Sequence, residues 1–244
     1  ALHERWAPGI LCVVMIEHVE RDGDEIRVDR PYAAGDNISP QGIECRAGDT
    51  LLMPGMRIGF AEIAVMASVG VGDVAVYRRP RVAIIATGDE IVSDGSIPLP
   101  HQIRNSNSHS LAAQVRLAGG EPDVLPVAPD TIEETAALIQ RGLSTDLLLL
   151  SGGVSAVKYD VVELALARFG AEFFFDRVLI QPGQPLVFGK ANGTFFFGLP
   201  GNPVSTMVCF EVFARAAVEL LSGLSEAPLP LTSASLSEDF KHRA

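Results

Sequence analysis

The chain has 244 residues, 48% of them hydrophobic, with 30 acidic against 19 basic side chains and a formal net charge of −11. Nucleic-acid binders carry a basic surplus to meet phosphates, so that class is set aside, and a mean hydropathy of +0.26 excludes intrinsic disorder. The three cysteines, Cys12, Cys45 and Cys209, fit neither a metal-ligand spacing nor a disulfide framework, which points to a reducing cytoplasm.

Residues 1–79 alternate short apolar segments with Gly, Asp and Pro, and read as a small β-rich module. Residues 10–16 fit a buried strand, 25–28 half of a hairpin, and 60–67 a short helix. Tyr77-Arg78-Arg79-Pro80 reads as a linker. From Arg81 the pattern becomes regular. Residues 82–86 form an apolar run fit for a central parallel strand. Residues 108–118 have helical spacing and stop at Gly119-Gly120. A strand at 124–127 follows, and Thr131-Ile132-Glu133-Glu134 has the form of a capping box opening a helix through Gly142. Further strands are expected at 147–150, 173–180, 186–188 and 194–197, and further helices at 161–169 and 204–221, the last packed on both sides. This β-α-β-α-β-α order implies an α/β fold, a mostly parallel three-layer α/β/α domain over residues 80–225. Residues 226–244 read as the opening of a third module. With no initiator Met and a chain end on Lys241-His242-Arg243-Ala244, the sequence reads as a piece of a longer protein. No secretory segment is visible, and the uncharged stretch 191–210 is broken by Pro200-Gly201-Asn202-Pro203, so no membrane span is expected.

Ligands of open α/β sheets bind beyond the carboxyl ends of the strands. Four such ends carry small, polar or turn-forming residues: Thr87-Gly88-Asp89-Glu90, Ala128-Pro129-Asp130, Ser151-Gly152-Gly153-Val154-Ser155 and Gly198-Leu199-Pro200-Gly201-Asn202-Pro203. Ser151-Gly152-Gly153 lets backbone N–H groups approach an anion, and reads equally as a tight βα turn. Asp89, Glu90, Asp130 and Asp160 offer oxygen ligands to a hard cation such as Mg²⁺. Asp130 reads as well as a helix cap, and Asp160 as first-turn helix charge. Pro182-Gly183-Gln184-Pro185 and Pro200-Gly201-Asn202-Pro203 are rigid loops. The five His residues show no i, i+4 pairing, which argues against a zinc hydrolase, and no G-x-S-x-G is present.

Taken together, Thr87-Gly88-Asp89-Glu90, Asn107, Ser151-Gly152-Gly153-Val154-Ser155 with Asp160, Pro182-Gly183-x-Pro185 and Leu199-Pro200-Gly201-Asn202-Pro203 resemble the molybdopterin molybdenumtransferase family, which includes the gephyrin E domain. The resemblance implies an elongated homodimer. Residues 1–79 would be linker and β-roll, 80–225 the molybdopterin-binding domain, and 226–244 the start of a C-terminal β-barrel. It implies insertion of molybdate into adenylylated molybdopterin with release of AMP and Mg²⁺ assistance, and a pterin adenylyltransferase as partner. Carried over position by position, Glu90, Asp130 and Asp160 match the acidic catalytic and metal-binding set. Thr87, Gly88, Asp89, Asn107, Ser151, Gly152, Gly153, Ser155, Lys158, Pro182, Gly183, Gln184, Pro200, Gly201, Asn202 and Pro203 match the substrate-binding set.

The chain also departs from the family. Gln181 and Gln184 stand where many relatives carry lysines tied to molybdate binding, so oxyanion affinity falls unless another cation compensates. Lys158, at a position often acidic, reads as that cation or as a solvated helix-start residue. Val157 replaces a common glycine. Two other readings stay open: a molybdopterin adenylyltransferase-like enzyme, and a non-catalytic gephyrin-like scaffold.

Overall fold

The structure is a computed structural model and describes residues 11–153, 161–225, 229, 232–235, 237 and 238. Ser155, Lys158, Asp160 and most of residues 226–244 lie outside that set.

Residues 11–79 hold a hairpin of β1 (Val19–Asp22) and β2 (Glu25–Val28) and one helix, α1 (Phe60–Ser68). Gly23, at φ +63°, makes the hairpin turn. Over its described residues the strand expected at 10–16 does not form. The Val13 N–H bonds Asp36 O (3.0 Å) and Leu11 O accepts from Gly35 N–H (2.7 Å), which ties the segment to a turn; Ile16–His18 is a single 3₁₀ turn. The described strand content of this region is therefore one hairpin, less than the β-rich module expected. The linker is clamped to the sheet. Asp146 accepts from both terminal nitrogens of Arg78 and from the Arg81 N–H, and the Arg78 guanidinium holds that carboxyl below its usual range.

Beyond the linker come β3 (Arg81–Ala86), the short parallel pair β4 (Ile91–Val92) and β5 (Ile103–Arg104), α2 (Asn107–Leu117), β6 (Glu121–Val124), α3 (Ile132–Gly142), β7 (Leu147–Ser151), α4 (Val161–Ala167), β8 (Glu172–Phe175), β9 (Val187–Ala191) and β10 (Thr194–Leu199). The chain then runs through α5 (Pro203–Cys209), a π-helical turn (Phe210–Ala214) and α6 (Arg215–Leu221). Six strands form the central sheet in the order β6-β3-β7-β10-β9-β8. The first four are mutually parallel; β9 and β8 are added antiparallel.

The aliphatic runs of β3 and β7 follow from burial on both faces. Val82, Ile84, Leu147 and Leu149 face α2 and the α5–α6 helix, while Ala83, Ile85, Leu148 and Leu150 face α3 and α4. Each buried Leu or Ile stabilises the domain by roughly 1.5–3 kcal/mol. The three-layer expectation is met.

Several boundaries move for physical reasons. The strand expected at 124–127 lies at Glu121–Val124, and its Pro122 is tolerated because β6 is a sheet edge. The strand expected through residue 180 stops at Phe175, after a register shift between Phe173 and Phe175. Thr131 is the N-cap of α3, but its hydroxyl bonds the Glu134 carboxylate (3.0 Å) rather than a backbone N–H, so the capping box is incomplete. The long helix is packed on one side only: Cys209, Phe210, Ala214 and Val218 are buried, while Val204, Met207 and Leu220 are exposed, because it forms an outer layer.

Candidate active site

From β3 the chain crosses through α2 to β6, on one side of β3. The chain leaves β7, on the other side, toward the far half of the sheet. The two loops diverge, so the crevice beyond the carboxyl ends of β3 and β7 is the switch point where ligands of such sheets bind.

Backbone bonds lace the strand ends together. Thr87 N–H donates to Ser151 O (3.0 Å), Gly88 N–H to Ala128 O (3.1 Å) and Gly152 N–H to Leu199 O (3.2 Å). Gly152 is required here. Its φ is +89°, and a Cβ would lie 2.8 Å from the Thr87 carbonyl oxygen. Its N–H is therefore committed to the sheet; Gly153 N–H has no hydrogen-bond partner among the described residues.

Asn107 opens α2 and joins three segments. Its Nδ2 donates to Ser151 Oγ and to Gly201 O, each at 2.8 Å. The 200–203 loop is fixed from its other side as well. Asn202 Oδ1 accepts from Val204 N–H (3.1 Å) and Ser205 N–H (3.2 Å), Pro203 occupies the first helical turn, and the Thr206 hydroxyl donates to Pro200 O.

These elements enclose a cavity of about 200 Å³, lined among others by Thr87, Glu90, Asn107, Ser151, Gly152, Gly201 and Pro203. Thr87 and Asn107 line it, and Thr87 Oγ1 and Asn107 Oδ1 are buried with no hydrogen-bond partner among the described residues. An unpaired buried polar atom costs roughly 1–3 kcal/mol, so each has room for one more partner. A larger cavity, about 510 Å³, opens between residues 52–58, 74–79 and 222–224. It lies by the amino ends of β3 and β6 and is mainly apolar, so the smaller one is the candidate site.

The other expected site residues fall around this centre. The Glu90 carboxylate folds back over Gly88, where a Cβ would come within 2.5 Å of it. Asp89 Oδ1 accepts the Asp130 N–H (3.0 Å), so Asp89 braces the Asp130 loop. Asp130 is exposed and is not the N-cap of α3. Pro182, Gly183 and Gln184 are not among the residues lining the cavity. Gly183 is buried against Cys209, which donates to its carbonyl (3.4 Å), and Gln184 is exposed. Burial pushes the Cys209 thiol up to about 11. Among the described residues no group of three or more His, Cys, Asp or Glu is arranged to hold a metal. Sequence reading missed Ile103, Arg104, Asn105 and Ser106, which also line the cavity. Their only signal was the polar run leading into Asn107.

Fold and site define a molybdopterin-binding α/β domain: residues 83–220 match the family model described as a probable molybdopterin binding domain. Residues 6–70 match the MoeA N-terminal region, domain I and II. The chain belongs to the molybdopterin molybdenumtransferase family. It is 34% identical over 233 residues to the molybdopterin molybdenumtransferase of Staphylococcus epidermidis, covering 95% of this chain and 56% of that protein. It is 35% identical over 237 residues to molybdopterin molybdenumtransferase 2 of Mycobacterium tuberculosis, covering 94% and 58%. The crystal structure of a molybdopterin biosynthesis MoeA protein from Pyrococcus horikosii superposes with a TM-score of 0.69 at 33% identity, covering 87% of this chain and 53% of that one. The chain thus spans a little over half the length of the curated relatives it matches.

Proposed function

We propose that the protein inserts molybdate into adenylylated molybdopterin and releases AMP. The observation that carries this reading is the switch-point cavity, lined by Thr87, Glu90, Asn107, Ser151 and Gly152, inside a molybdopterin-binding domain. The match of residues 6–70 to the MoeA N-terminal region favours this reaction over adenylyl transfer.

The chain's residues divide the work. The Thr87 hydroxyl and the Gly153 N–H would supply hydrogen bonds to an anionic substrate, on a backbone that the strand-end bonds keep rigid, while Asn107 spends its N–H groups on Ser151 and Gly201 and holds those ends together. Ser155 and Lys158 belong to the same loop. Mg²⁺ binds through one or two carboxylates plus substrate phosphates and keeps several waters. Glu90 and Asp130, with Asp160, would be the carboxylates for a Mg²⁺ that arrives on the substrate, and Asp89 holds the Asp130 loop in place. Bound there, the ion would polarise the pyrophosphate bond that releases AMP. Pro182, Gly183 and Gln184 would line the approach rather than the cavity itself.

A homodimer is part of the reading. Helix α1 buries none of its residues, although Phe60, Ile63, Val65 and Met66 are all apolar, so a second copy would cover it. The free thiols suit a reducing cytoplasm, and a pterin adenylyltransferase would supply the substrate.

The test supplies full-length protein with adenylylated molybdopterin, Mg²⁺ and molybdate and follows AMP release. Turnover is expected, with Glu90→Gln and Asp130→Asn each reducing it at least about 100-fold, as loss of a metal-holding or charge-stabilising group does. Undiminished turnover in both variants would sink the assignment.

A further inference from the structure

The proposed substrates are anions, yet the chain carries only three lysines, Lys158, Lys190 and Lys241. Lys190 lies over the Phe195 ring on β9, at 5.2 Å from its centroid, and the loop that carries lysines in many relatives has Gln181 and Gln184. Among the described residues, Glu90 and Arg104 are the only charged ones lining the switch-point cavity.

Arg104 shares the lack of a carboxylate partner with Arg21, Arg27, Arg46, Arg79, Arg116 and Arg141, and among the described arginines it is the one that lines this cavity. Arg57, Arg78, Arg81, Arg168, Arg177 and Arg215 each pair with a carboxylate. Arg104 pairs with none among the described residues, in a protein with acids in surplus. Its backbone is fixed. β5 pairs with β4 in parallel, Val92 opposite Arg104, and Ile103 N–H donates to Glu90 O (2.8 Å). One ladder therefore sets both charged groups at the rim of the cavity that Thr87 and Asn107 line.

We infer that Arg104 is the cation of this cavity and binds a tetrahedral oxyanion, a substrate phosphate or molybdate, alongside the Thr87 hydroxyl. A guanidinium suits the task because its planar fork donates two parallel hydrogen bonds to such an anion. The inference rests on the proposed reaction only for the substrate's name. Arg104 then supplies positive charge that Gln181 and Gln184 do not.

The experiment measures binding of inorganic pyrophosphate and, separately, molybdate to full-length protein by calorimetry. Arg104→Gln should weaken one or both roughly 10- to 100-fold, as loss of a charge-assisted hydrogen-bond pair does. Arg104→Lys should recover part of the affinity, and Arg79→Gln, in the larger cavity, should change nothing. Loss for pyrophosphate alone assigns a phosphate subsite, and loss for molybdate alone assigns the metal oxyanion. Unchanged affinity for both anions in Arg104→Gln, at an unchanged melting temperature, overturns the inference. So does wild-type protein that binds neither. Arg104-dependent binding without AMP release would sink the transferase reading and leave this one standing.

Discussion

Asn107 offers the sharpest test of how the site is held. Its amide donates to Ser151 Oγ and Gly201 O, both at 2.8 Å, and so joins the end of β7 to the loop before α5. Replacing it by Ala removes two hydrogen bonds worth roughly 0.5–1.5 kcal/mol each, about 1–3 kcal/mol in sum. In a chain of this size 1 kcal/mol moves the melting temperature by about 2–4 °C, so Asn107→Ala should melt roughly 2–12 °C lower. Asn107→Asp separates the two bonds. The Ser151 hydroxyl can turn and donate to a carboxylate, but the Gly201 carbonyl cannot. The Asp variant therefore sets a negative oxygen against a carbonyl oxygen, and should be less stable than Ala near neutral pH and recover as the carboxyl is protonated in acid. Differential scanning calorimetry across pH 4–8 reads both effects. Melting of both variants within about 1 °C of wild type would refute the claim that Asn107 locks the strand ends.

Gly152→Ala combines a φ of +89° with a Cβ 2.8 Å from the Thr87 carbonyl, and should cost roughly 2–4 kcal/mol in urea unfolding; a loss below about 0.5 kcal/mol would show that the loop yields freely. Cys209, held neutral by burial with its thiol near 11, should resist iodoacetamide at pH 8 until denaturant is added, while the partly exposed Cys12 and Cys45 are alkylated first; labelling of Cys209 as fast as Cys12, read by mass spectrometry, would contradict that burial.

What the sequence made legible followed physical strength. The runs of β3 and β7 were plain because both faces are buried, which leaves only aliphatic residues. The Gly152 and Asn202 positions were plain because a tight approach and a helix start each restrict residue type. The pair β4 and β5 was invisible, since two residues each carry no period. With them went Ile91 and Ile103 to Ser106, part of the cavity's wall. The supposed strand at residues 10–16 failed for the opposite reason. Its apolar pattern was real, but its backbone groups are spent on the turn at Gly35 and Asp36, and Leu11 is 71% exposed. Periodicity reports which side chains want burial, and says nothing about what covers them.

The charge balance is the instructive case. A net −11 speaks against an anionic ligand only if the field at the site follows the net charge, and a crevice is governed by its nearest groups. At the switch point those groups are Glu90, the amino end of α2 at Ser106 and Asn107, and Arg104. The helix adds roughly half a positive charge at that end. Asn105 Oδ1 consumes one of its first-turn donors by accepting from Ser108 N–H (3.1 Å), which leaves the guanidinium as the only full positive charge lining the cavity among the described residues. If Glu90 faces a cation there, the crevice presents one carboxylate to the metal side of a substrate and one guanidinium to its anionic side. That pairing orients a phosphate ester as well as binding it. A protein built this way can carry its surplus acids elsewhere without weakening the site, because charges beyond about 10 Å are screened at ordinary ionic strength.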